Sequence, residues 1–99
     1  MKKLFLSIFL VGLLLGSNGK ITGIISQKSN GDPAVGVNII LVDSYLGAAT
    51  DINGRFTILN VPPGTYSLRA DAIGFTPVVL QDVRITTDQT TDISLQLEE

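Results

Sequence analysis

Cysteine, histidine and tryptophan are all absent from the 99 residues. Without His or Cys the chain lacks the usual general base near neutral pH, the thiol nucleophile and the commonest zinc and iron ligands. Without Cys no disulfide can staple the fold, so packing alone must hold it. Positive charge is also scarce, with 7 Lys and Arg against 9 Asp and Glu. Setting aside Lys2 and Lys3 leaves 5 against 9, a net of −4. The basic footprint of a DNA- or RNA-binding protein is therefore missing, and no nucleic-acid partner is expected. Hydroxyls at Ser26, Ser29, Ser44, Ser67 and Ser94 have no His to activate them, and beyond Lys3 the lysines are Lys20 and Lys28 alone. No glycine loop followed by Lys-Ser/Thr is present to cradle a phosphate. Paired carboxylates could serve a glycosidase. Here they fall on turns and polar strand faces of a domain too small for a deep cleft. The composition points away from an enzyme, a cofactor, a metal site and catalytic residues.

Apolar runs are short except for one. Met1-Lys2-Lys3 leads into Leu4–Leu15, interrupted by Ser7 and Gly12, and then into Gly16-Ser17-Asn18-Gly19. A basic start, a short apolar stretch and a small-residue exit describe a secretory signal peptide. The run falls short of the roughly 20 residues that span a bilayer. Ser17 and Gly19 suit the −3 and −1 positions, so residues 1–19 are expected to be a signal peptide and 20–99 one exported domain. No Cys follows the run, which excludes lipid attachment there.

Residues 20–99 are rich in strand formers. Ile, Val and Thr make up 26 of these 80 residues, whereas Ala, Glu, Lys and Met together make up 9. β-branched side chains suit a pleated surface and lose rotamer freedom in helices. Turn signals recur about every 8–12 residues, the spacing of a sandwich or barrel. Strands are predicted over 20–27, 35–43, 48–50, 55–60, 65–72, 78–85 and 91–97. By the period-2 rule Val37, Ile39 and Leu41 face the core, as do Phe56 and Ile58, Tyr66, Leu68 and Ala70, and Ile93, Leu95 and Leu97. Ile40 and Val42 make the second face of the 35–43 strand apolar too, so that face is expected to be partly covered. Pro63-Gly64 fits a type II turn and Asn53-Gly54 a hairpin turn. Asn30-Gly31 is a looser turn, and Pro33 bars an internal strand position after it.

Two ligand chemistries remain to be weighed. Asp51-Ile52-Asn53-Gly54 is similar in outline to a calcium loop. Aligning Gly54 with the EF-hand glycine, however, places Ala49 and Asn60 where acidic ligands belong. A plain turn is the better reading. Sugar binding needs exposed aromatic platforms, and only Tyr45, Phe56, Tyr66 and Phe75 are available after residue 19. Phe56 and Tyr66 fall on core faces, the Tyr66 hydroxyl being suited to pin a corner. Phe75 is placed to cap an end of the sandwich. Tyr45, in a polar corner, is the one weak binding candidate.

The punctuation as a whole resembles the carboxypeptidase regulatory-like domain. The resemblance runs through Ile21-x-Gly23-x-Ile25, Asn30-Gly31-Asp32-Pro33, Gly36-Val37-Asn38-Ile39, Thr50-Asp51-x-Asn53-Gly54-Arg55-Phe56, Val61-Pro62-Pro63-Gly64-Thr65-Tyr66 and Ile73-Gly74-Phe75. Ser26, Ala34 and Asp43-Ser44 depart from the pattern at turn and surface positions. The resemblance implies a non-catalytic, seven-stranded Greek-key β-sandwich of transthyretin type, related to starch-binding modules. In Bacteroidetes such domains sit behind the signal peptide of TonB-dependent outer-membrane receptors, ahead of plug and barrel. It therefore implies an exported docking or spacer module of a truncated or divided receptor. Its partner would be a protein at the outer membrane or in the periplasm. The alternative is a free-standing secreted module for carbohydrate binding or adhesion.

Overall fold

A computed structural model of the protein describes residues 18–99. Most of the expected signal peptide lies outside the described residues. Within them the chain forms β1 (Gly19–Gln27), β2 (Asn38–Leu41), β3 (Gly47–Ala49), β4 (Arg55–Val61), β5 (Gly64–Asp71), β6 (Val78–Ile85) and β7 (Thr90–Leu97). They make two sheets, ordered β4-β1-β7 and β3-β2-β5-β6. Neighbours pair antiparallel except β1 and β7, which run parallel in unbroken register from Lys20↔Thr90 to Gln27↔Leu97. The fold is the all-β, seven-stranded sandwich that the sequence implies.

Alternation builds the core. Ile21 and Ile25 of β1 meet Phe56 and Ile58 of β4, Ile93 and Leu97 of β7, and Ile39, Leu41, Leu68, Ala70, Val83 and Ile85 from the other sheet. All are buried, which is the main favourable term in a domain without disulfides. Phe75 and Tyr66 are partly buried and pack against this cluster. The inward-facing residues expected of β2, β4, β5 and β7 are therefore found there, with Tyr66 and Leu95 only partly covered.

Three expectations need correction. The second strand is shorter than 35–43, because Gly36 (φ 72°) and Asp43 (φ 64°) leave the extended region on either side of β2. Its second face is partly covered as expected, with Ile40 45% exposed, Val42 half-buried and β2 inside its sheet. Asn53-Gly54 does not join a hairpin: β3 and β4 belong to different sheets, and this turn carries the chain between them. Pro63-Gly64 is not a type II turn, since Gly64 sits at φ 158°, close to extended backbone. The left-handed residue of that corner is Asn60 (φ 58°), which takes up the extra residue where β4 slips in register against β1. Asp82 (φ 60°) does the same for β6 against β5. Asn and Asp tolerate this conformation better than other non-glycine residues.

Candidate binding surface

The motif Thr50–Phe56 spends its polar atoms on its own backbone. Thr50 is buried, donates its hydroxyl to the Ala34 carbonyl at 2.6 Å and accepts from the Val37 N–H at 2.9 Å. That one side chain fixes the strand entry at 34–37. Thr50 stands in the sequence motif, but its bonding to residues 34 and 37 joins positions too far apart for a local pattern to reveal. Asp51 Oδ1 accepts from the N–H groups of Asn53 (2.8 Å) and Arg55 (3.0 Å), closing an Asx turn. Gly54 (φ 73°) lies against the Ile25 carbonyl, and its own carbonyl accepts the Ile25 N–H at 2.8 Å. The Asp51 carboxylate is thus engaged in holding the turn. Among the described residues no three His, Cys, Asp or Glu side chains gather as metal ligands.

The second motif is also a corner. Tyr66 donates its hydroxyl to the Pro62 carbonyl at 2.7 Å, pinning the β4–β5 connection as a tyrosine corner does. Ile73-Gly74-Phe75 turns with Gly74 at φ 89° and the Phe75 N–H on the Ala72 carbonyl. Phe75 thereby reaches the core, while Ile73 stands fully exposed.

Tyr45 lies in the β2–β3 turn and is fully exposed, at 108% of its reference area. The turn beneath it is held by Ser44, whose hydroxyl donates to the Leu41 carbonyl and accepts the Leu46 N–H. Nothing in the turn's own bonding uses the phenol. Two open depressions mark the outer sheet faces. One, of about 500 Å³, lies over the β4-β1-β7 sheet, with Thr22, Ile24, Arg55, Thr57, Asp92 and Ser94 around it. The Thr22 hydroxyl donates to the Asp92 carboxylate there. The other, of about 390 Å³, lies between Val42, Asp43, Thr65, Ser67 and Asp82. Both are shallow troughs between side-chain rows, with no buried ionisable group at the base.

Charge is confined to the surface. Lys28 and Glu98 form an exposed ion pair at 2.5 Å beside the end of β7. The hydrogen bond to Lys28 and its charge lower the Glu98 carboxyl below the usual range, and the Lys28 ammonium is raised correspondingly. Both groups are open to solvent, so the pair adds little to stability. Arg69 reaches Asp71 at 3.3 Å on the outer face of the other sheet. Its register neighbours on either side are Ile40 and Val79, both exposed.

No curated protein is significantly similar to the chain. Solved structures share its fold at low identity. One is a type II cohesin–X-dockerin complex from Acetivibrio cellulolyticus, 22% identical with a TM-score of 0.67 over 78% of this chain and 52% of that one. Another is the TIE protein of Bacillus anthracis, 18% identical with a TM-score of 0.69 over 84% of this chain and 17% of that one. A third is a Bacteroides uniformis protein described as carbohydrate binding, 15% identical with a TM-score of 0.64 over 83% and 42%. The chain spans about half or less of each. Residues 20–98, from the start of the β1 ladder past the end of β7, match the model of the carboxypeptidase regulatory-like domain, and the chain belongs to that family.

Proposed function

We propose that residues 20–99 act as a docking or spacer module that binds protein and performs no chemistry of its own. One observation carries the reading: the signature motifs spend their polar atoms on their own turns and strand entries. The described surface also offers sheet edges, and an edge binds an added strand through backbone hydrogen bonds without special side chains. The cohesin–X-dockerin neighbour, itself a protein–protein assembly, supports a protein partner. The arrangement of residues 1–19 supports export, and family membership supports placement ahead of the plug of a TonB-dependent outer-membrane receptor, with a periplasmic protein partner.

Carbohydrate binding by a free-standing secreted module is the second reading, favoured by the full exposure of Tyr45 and by the Bacteroides uniformis neighbour. One experiment separates the two. The protein is isolated from the cell envelope, its N-terminus is sequenced, and it is titrated with oligosaccharides while backbone amide shifts are followed. The docking reading expects an N-terminus within Asn18–Lys20 and no saturable shift at Tyr45. An intact Met1 in the membrane fraction would replace the cleaved signal peptide by a membrane anchor. Saturable shifts around Tyr45 that Tyr45→Ala abolishes would replace docking by sugar binding.

A further inference from the structure

Each sheet has two edges, and three of the four are blunted. β3 has three residues. β4 and β6 are bulged at the left-handed Asn60 and Asp82, which bend a strand away from straight pairing. β7 has eight residues and an unbroken register with β1, and among the described residues no strand pairs with its other side. The direction of its backbone groups is fixed at its end. The Leu97 carbonyl accepts from Lys28 N–H on the β1 side, whereas the Glu98 carbonyl accepts from Thr76 N–H on the opposite side. Backbone groups alternate sides along a strand. Those of Asp92, Ser94 and Gln96 therefore face the open edge, and all three residues are exposed.

The side chains around this edge describe its occupant. From Thr86 to Glu99 there are four acids, Asp88, Asp92, Glu98 and Glu99, and no base. Glu98 has Lys28 as a partner. On the inner side of the same flank Leu95 of β7 and Val78 and Leu80 of β6 are only partly covered. A strand added here would lay one set of alternate side chains over those apolar groups and the other beside Asp92, Ser94 and Gln96. A second copy of this chain is disfavoured, because two β7 edges would bring like charges together.

We infer that β7 is the docking edge and that it takes an extended peptide alternating apolar and basic residues. This rests on the docking reading above and specifies it. The test uses the purified full chain and two eight-residue peptides, one alternating Val and Lys, the other Val and Glu. The Val–Lys peptide should bind saturably, shift the amides of Asp92, Ser94 and Gln96, and weaken as salt is added. Ser94→Pro removes an N–H that points away from the β1 ladder, a position where an edge strand tolerates proline, and should weaken binding at least tenfold. If that variant fails to fold, Asp92→Lys/Gln96→Lys should instead reverse the preference towards Val–Glu. Equal binding of both peptides, binding that a folded Ser94→Pro leaves unchanged, or no binding of either would overturn the assignment. Shifts confined to β3, β4 or β6 would overturn β7 while leaving docking by strand addition in place. Shifts only at Tyr45 with oligosaccharide would remove the docking reading itself.

Discussion

Phe56→Ala should cost the domain about 3–5 kcal/mol in urea unfolding, the range for emptying a buried aromatic site. Phe56 is 4% exposed, and its ring lies across Gly23, its register partner on β1. A Cβ at Gly23 would overlap the ring atoms Cε1 and Cζ and lie 2.7 Å from the Ile93 carbonyl oxygen. The glycine makes the floor on which the ring rests, so the two positions form one packing unit. Gly23→Ala should therefore also be destabilising, and the double variant should cost less than the sum of the singles. A loss below about 1 kcal/mol for Phe56→Ala would mean that the ring is not in the core.

Gly54→Val should be as damaging, at about 3 kcal/mol or more, because two separate penalties meet there. The residue sits at φ 73°, where a β-branched side chain is strained. The added Cβ would also press into the Ile25 carbonyl and lie 3.2 Å from Pro33 Cβ. Gly31→Val separates the two effects. Gly31 has a similar φ of 77° with nothing within 4 Å of the added atom, so it carries the backbone penalty alone, about 1–3 kcal/mol. Equal losses at the two glycines would show that the close approach to Ile25 contributes nothing.

Local signals made most of the strands legible. Alternation found the buried faces of β2, β4, β5 and β7, and Gly, Pro and Asn marked nearly every connection. What escaped were features set by residues distant in sequence. Asn53-Gly54 reads as a hairpin because the local turn chemistry is the same whether the chain returns to its own sheet or crosses to the other. Gly64 was read as the left-handed residue of its corner, when the register slip of β4 against β1 puts that role on Asn60. The candidate surface was the least visible part. Tyr45 could be picked out as an aromatic in a polar corner, but the open side of β7 follows from its parallel pairing with β1, seventy residues away, which no local pattern encodes.

The central claim, that a sheet edge at β7 is the working surface, is tested most directly by amide hydrogen exchange on the full chain. In the free protein the amides of Ile93, Leu95 and Leu97 should be protected by the β1 ladder, while those of Asp92, Ser94 and Gln96 exchange fast. Adding the Val–Lys peptide should slow those three and leave the rest of β7 nearly unchanged. Protection of Asp92, Ser94 and Gln96 in the free protein would show that the edge is already closed, and would contradict the account.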